Sequence, residues 1–212
     1  LIEAKAIEVK TSPQRLTLEL KAGIVGIEIF REENDYRISM AQMKPAFLSI
    51  HNPKTIGKIF GLKETDLISL SPIQTVSTGT PQLMVPVKSL ESLKNAKMDI
   101  DAYNSYKAAS DFFSPHLFCL SGVTAKGSTF ARHFGVPPDT AEDAFTGSAT
   151  GGMAAYLWHH GLIKTAKFIA EQGHWMGRTG SATIEVVGDP QNIETVKVGG
   201  SAVVVMKGEI YV

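Results

Sequence analysis

The chain has 212 residues, 43% hydrophobic and 20% charged, enough to bury a sizeable core in one or two domains without disulfide or metal staples. Its 21 basic and 21 acidic side chains cancel, which leaves little for gripping nucleic-acid phosphates or an anionic membrane surface. Apolar runs such as 24–30 and 202–206 are too short to span a bilayer, and the single Cys119 excludes an internal disulfide framework and a sulfur-rich zinc site.

A lone thiol fits a reducing setting, and the expected location is the cytoplasm. The chain opens at Leu1 directly into strand-like alternation, with no series of charged, apolar and small residues that reads as a secretory signal. Ala6, Ile7 and Val9, then Leu16, Leu18 and Leu20, then Ile24, Val25, Ile27 and Ile29 predict three short strands. A fourth is predicted over 36–40, after the turn-forming Glu33-Asn34-Asp35. Residues 43–49 read as a connection. Asn52 before Pro53 marks a helix start, as N-cap and first helical position, and Gly61 marks its stop.

Strands are predicted over 73–76 and 83–87, around the turn Ser77-Thr78-Gly79-Thr80-Pro81. Helical spacing follows over 89–97 and 101–109, with Ser89 and Asp101 as caps, then strands over 116–120 and 129–134. The strongest helical pattern runs from Ser148 to His160 and ends at Gly161, which suits a left-handed C-cap. Strands resume over 167–171, 182–187, 195–198 and 202–206. Strands outnumber helices and come in groups, which predicts an α+β fold of mostly antiparallel, curved sheets packed on helices. The stretch Gly147-Ser148-Ala149-Thr150-Gly151-Gly152 is neither GxGxxG nor a P-loop, so no cofactor phosphate is indicated.

Chemistry concentrates between Arg132 and Gly152. Two carboxylates, Glu142 and Asp143, stand just before Thr146-Gly147-Ser148, and that turn opens the best helix in the chain. The first amides of a helix lack internal partners and the helix dipole adds positive potential, so this arrangement builds an anion pocket. Gly147 permits close approach of the backbone, and the Thr146 and Ser148 hydroxyls add neutral hydrogen bonds. Asp143 beside that helix end either stays ionised as an acceptor or, if buried away from water, carries a proton and donates it. The same residue types also serve as ordinary helix caps, and spacing alone does not separate the two roles.

The segment Glu142-Asp143-Ala144-Phe145-Thr146-Gly147-Ser148-Ala149 closely resembles the E-D-P-A-T-G-S-A signature of the phenazine-biosynthesis PhzF-like proteins, within the diaminopimelate-epimerase-like superfamily. Glu171-Gln172-Gly173-His174-Trp175-Met176-Gly177-Arg178 is similar to that family's E-Q-G-x-x-M-G-R stretch. The region 195–205 resembles its closing strands, and 76–81 the turn on the other side of its pocket. The match is collinear from about Leu20 to the end. It implies two similar domains, each a curved sheet wrapped around a central helix, with the active site in the cleft between them.

That resemblance also implies a chemistry. Family members with known reactions isomerise a small cyclic acid by moving a proton between carbons, without metal or organic cofactor. Carried over residue by residue, Asp143 hydrogen-bonds the substrate and assists protonation. Thr146, Gly147 and Ser148 hold a carboxylate, and Ser77, Thr78 and Gly79 close the opposite wall. The family's acid/base Glu and Gly-His-Pro segment have no counterpart in residues 1–212. Residues 1–44 with 200–212 are therefore expected to be the remnant of the first domain, and 45–199 a complete second one. Relatives pair as homodimers, so a dimer is expected.

Ala144 and Phe145 depart from the family's Pro and Ala and reshape the pocket. Thr146 stands where the superfamily's amino-acid epimerases carry a catalytic Cys, which disfavours two-thiol racemisation. An alternative to the isomerase is a non-catalytic protein that binds small acids or serves in assembly, keeping the pocket without the base. Of the remaining residues, His159 and His160 close a helix, Arg178 reads as an internal carboxylate partner, and Trp158 and Trp175 read as core or interface aromatics. Met40 and Met43 read as gap-fillers, and Cys119 as an inert buried thiol.

Overall fold

The computed structural model describes residues 2–21, 23–33, 35–136, 138 and 141–210. Asn34 of the expected turn, Pro137, Asp139 and Thr140 on the approach to the motif, and the last two residues lie outside that set. In chain order the strands are β1 Gln14–Leu20, β2 Gly23–Arg31, β3 Tyr36–Ala41, β4 Ala46–His51, β5 Ile73–Ser77, β6 Pro81–Pro86, β7 Ser114–Cys119, β8 Thr129–Phe134, β9 Glu142–Asp143, β10 Lys167–Gln172, β11 Gly180–Asp189 and β12 Asn192–Gly200. The helices are α1 Pro53–Ile59, α2 Leu90–Asn95, α3 Ile100–Lys107 and α4 Gly147–His159.

All strands join one 12-stranded sheet in the order β1-β2-β3-β12-β11-β10-β8-β7-β6-β5-β4, with β9 paired to β8 off this path. The sheet is not closed. Pairing is antiparallel except at β10 with β8 and at β6 with β7, so the fold is the mostly antiparallel α+β arrangement that the strand count implies. Helix α4 packs against β5 and β6 on one side and β11 and β12 on the other, so the sheet curls around it. A helix in that position must be apolar all round. Residues Ala149 to Leu157 are all buried.

The middle strands are covered on both faces and read as unbroken apolar runs rather than as alternation. Leu117, Cys119, Val85 and Phe130 face a cluster built with Ile56 of α1, Phe60 just after it and Tyr103 of α3. Phe118, Met84 and Ala131 face Met153, Ala154 and Leu157 of α4. Gly152 lets α4 settle on the sheet, because a Cβ there would stand 2.8 Å from Met84 Cε.

Helix boundaries follow their chemistry. Asn52 accepts from the amides of Lys54 and Thr55, and Ser89 from Ser92. Helix α3 starts one residue before the expected position, because Asp99 rather than Asp101 caps it. Two strand expectations and one connection fail. Residues 6–9 form bends and coil, since the Val9 carbonyl is taken by the Arg31 guanidinium instead of a ladder partner. The expected connection over 43–49 contains most of β4, which pairs with β5 through an irregularity between Phe47 and Ile50 and leaves Leu48 and Ile50 exposed. Residues 202–206 form no strand. Ala202 to Val204 instead line an apolar groove with Leu16, Leu18 and Ile27 of β1 and β2. Among the described residues no helix is long and apolar enough to cross a membrane.

Phe118, fully buried and 5.6 Å from the Tyr156 ring centroid, couples the sheet to α4. Phe118→Ala is expected to lower unfolding free energy by about 3–5 kcal/mol through the cavity it leaves, measured by urea denaturation.

Candidate functional site

The site is built where β8 changes partner. Its first half, Thr129 to Ala131, pairs in parallel with β10, and its end, His133 and Phe134, pairs antiparallel with β9. Between them Arg132 forms a two-pronged ion pair with Glu142, Nε to Oε1 at 3.0 Å and Nη2 to Oε2 at 2.8 Å. Its Nη1 also donates to the carbonyls of Leu93 and Ala96 at the end of α2, at 3.0 and 2.9 Å. Such a charge-assisted fork fixes β9 firmly. Of the two carboxylates before the turn, Glu142 is thus spent on structure. Asp143, its strand neighbour, projects to the other face and has no cationic partner among the described residues.

Asp143 Oδ2 accepts from Thr146 Oγ1 at 2.6 Å. Gln172 of β10, itself 1% exposed, holds the turn from below. Its Nε2 donates to the Asp143 carbonyl at 2.8 Å, and its Oε1 accepts from the Thr146 amide at 3.3 Å. Thr146 is the N-cap residue of α4, yet its hydroxyl turns to Asp143 and makes no cap bond, and no other side chain caps the helix among the described residues. The leading amides of α4, which have no intrahelical partners, are left open to a ligand. Ser148 is exposed, and nothing lies within 4 Å of where a Cβ on Gly147 would stand.

Asp143, Thr146 and Ser148 line a cleft of about 320 Å³, whose other walls include Thr80, Gln82, Tyr103, Lys107, Ser114 and His133. Lys107 brings a cation to this cleft, with its Nζ 5.2 Å from the Phe113 ring centroid. The three residues expected on the opposite wall do not line it. Thr78 is buried behind the start of α4, where its hydroxyl meets Gln42 Oε1, and Gln42 Nε2 donates to the Gly147 carbonyl at 3.0 Å. Ser77 Oγ accepts from the Gly79 amide within the turn. The wall comes from the next residues along, Thr80 and Gln82.

Other readings of single residues resolve in the same way. Arg178 is exposed and forms no ion pair among the described residues; the internal carboxylate partner is Arg132. Trp175 packs at 4.4 Å from the Phe130 ring centroid, and Trp158 donates to the Gly188 carbonyl. Cys119 is fully buried, burial pushes its thiol up, and it does not line the cleft.

Sequence reasoning missed a buried polar row in the cleft wall. His133 is 7% exposed and His116 fully buried, and their Nδ1 atoms stand 3.2 Å apart. His133 Nε2 lies 2.9 Å from Ser114 Oγ, which donates to Gln82 Oε1 at 2.7 Å. These residues sit on three adjacent strands and meet only through register, Gln82 opposite Ser114 and His116 opposite His133. No local pattern could have joined them. Gln172, by contrast, stands inside a stretch that the sequence does single out.

A family model described as phenazine biosynthesis-like protein (PhzC-PhzF) matches residues 2–208. The chain belongs to that family. It is 32% identical to an uncharacterized isomerase of Clostridium acetobutylicum, over 98% of this chain and 71% of the relative. It is 26% identical to trans-2,3-dihydro-3-hydroxyanthranilate isomerase of Pseudomonas fluorescens, over 98% of this chain and 71% of that protein. Among solved structures, a PhzF-family phenazine biosynthesis protein of Bacillus anthracis superposes with a TM-score of 0.82 at 30% identity, covering all of this chain and 72% of its own. Across the curated isomerases it matches, the chain spans between 55 and 71% of the relative's length.

Burial pushes His133 down to about 4, with the nearby Asp143 charge opposing part of that shift, and burial together with His133 drives His116 well below the usual range. Both rings are neutral at pH 7. The unfolded chain takes up a proton on His133 near its ordinary value of 6.5, the folded one only near 4. Stability is therefore expected to fall as pH drops from 6.5 toward 4, with His133 contributing about 3 kcal/mol across that window. Urea midpoints measured against pH check this, and His133→Asn should flatten the decline.

Proposed function

We propose that the cleft at the start of α4 binds a small cyclic or amino-acid-like carboxylate and isomerises it by a proton shift between two carbons, without metal or organic cofactor. The observation that carries this reading is the uncapped start of α4 beside a carboxylate, Asp143, with no cationic partner among the described residues. The substrate carboxylate sits on the leading amides and the Ser148 hydroxyl, where helix and backbone supply positive potential, with Lys107 in the wall of the same cleft. Asp143 then faces the reacting part of the ring, held in place by Thr146 and Gln172. A cofactor-free proton shift needs a positioned carboxyl group, stabilisation of the developing anion and a sheltered cleft.

One C–H bond breaks and another forms. In the scheme that the family implies, an acid/base Glu, with no counterpart in residues 1–212, shuttles the proton, and Asp143 orients the acid and assists protonation. The ring acid in the name of the Pseudomonas fluorescens relative supports a ring acid as the substrate class. Two-thiol racemisation finds no support, since Thr146 occupies the relevant position and Cys119 is buried elsewhere. A second reading of the same cleft is a protein that binds small acids without turning them over.

Solvent deuterium incorporation into ring and amino-acid carboxylates tests both. The isomerase reading expects exchange by the protein, and a fall of about 10²–10⁴-fold in Asp143→Asn with little change in unfolding midpoint. Exchange undiminished in that variant contradicts the role of Asp143. Saturable acid binding without any exchange selects the second reading.

A further inference from the structure

We propose that the side-chain amide of Gln82 is a substrate-binding donor that presents its N–H groups to an oxygen of the bound acid, and that Ser114, His133 and His116 are positioning residues that orient it. The proposal deepens the reading of this cleft as an acid site and rests on it.

Gln82 is 2% exposed, yet it lines the cleft. Its Oε1 is occupied by Ser114, while its Nε2 has no partner among the described residues. Among the described residues that nitrogen is not one of the fully enclosed, partnerless side-chain atoms, whereas His116 Nε2 is. The amide nitrogen therefore opens onto the cleft. A buried donor left without a partner is costly, and a ligand oxygen placed there relieves that cost.

An amide can turn over, so what holds this one is the direction of the chain behind it. Two self-consistent directions exist. In the first, His116 Nδ1–H donates to His133 Nδ1, His133 Nε2–H donates to Ser114 Oγ, and the Ser114 hydroxyl donates to Gln82 Oε1. The N–H groups of Gln82 then face the cleft, and the unpartnered atom at the far end is the lone pair of His116 Nε2. In the second, every donor reverses. His116 Nε2 becomes an orphaned, fully buried N–H, and Gln82 turns its carbonyl to the cleft.

Orphaned buried N–H groups are the rarer and more costly defect, so the first direction is the stable one. Neutrality of both rings keeps the chain a row of single donors, since a doubly protonated His133 would drive both of its neighbours to accept. An anion needs donors. The first direction supplies them opposite the α4 amides and the second would repel it.

Nitrogen-15 NMR of the unliganded protein reads the direction without any substrate. The expected result at pH 7 is His133 protonated at Nε2 and His116 at Nδ1. His133 protonated at Nδ1 overturns the proposal, whatever the cleft binds. Binding of 2-aminobenzoate, followed by its fluorescence, reads the consequence. Gln82→Leu is expected to weaken it by about tenfold, and Gln82→Glu, the same shape with a charge, by more. Ser114→Ala should raise KM for exchange and leave kcat nearly unchanged. Undiminished 2-aminobenzoate binding in Gln82→Leu, alongside normal binding by the parent protein, overturns the role of Gln82 and leaves the acid site standing. No binding by the parent protein overturns both.

Discussion

Strand β8 serves two partners on one edge, and the site depends on that division. Had β10 paired along its whole length, no edge would remain for β9, and Asp143 would have no fixed place beside the start of α4. The handover occurs at Arg132, whose guanidinium binds Glu142 and the end of α2 at once. A half-buried ion pair of this kind contributes modestly to net stability, because desolvation offsets much of the attraction. Its consequence here is geometric. Two residues suffice for β9 because the fork holds one of them, and alternation along the strand turns the other to the opposite face.

The sheet face against α4 changes character along its length in step with the helix. Beside the middle of α4 it is Met84, Phe118 and Ala131. Toward the start of α4 it becomes Gln82, Ser114 and His133, two residues earlier on β6, four earlier on β7 and two later on β8. The apolar part seats the helix and the polar part lines the cleft, so one packing arrangement serves both. Gln42 ties the two regions from behind, lying against Gly151 and donating to the Gly147 carbonyl. A Cβ on Gly151 would fall 1.8 Å from Gln42 Oε1, which is why a small residue is needed at that point of an otherwise well-packed helix.

Much of this was legible in the sequence, for local reasons. Helices α1, α2 and α4 carry their own punctuation in Asn52-Pro53, Ser89 and Gly161, and β8 was bounded correctly because its run of apolar and β-favouring residues is short and unambiguous. The motif around Asp143 was readable because its residues are contiguous. Elements that depend on distant partners were not. Residues 6–9 and 202–206 alternate or run apolar as strands do, but apolar pattern only offers a face and does not supply a ladder. Strand β4 does not show as one in the sequence because apolar residues crowd both of its faces. Within the site, Glu142 and Asp143 look equivalent in sequence, and only Arg132 separates structural from available carboxylate. The wall residues Gln82, Ser114, His116 and His133 become neighbours through strand register, which single-sequence patterns do not carry.

We propose that the start of α4 is an anion-binding end, left uncapped because Thr146 turns to Asp143. A titration of the nitrogen-15-labelled protein with 2-aminobenzoate, followed through backbone amide shifts, tests it most directly. Saturable shifts are expected to concentrate at Thr146, Gly147, Ser148 and Ala149, with smaller ones at Gln82 and His133. Shifts confined to the apolar groove over β1 and β2, with the first turn of α4 unmoved, would contradict it.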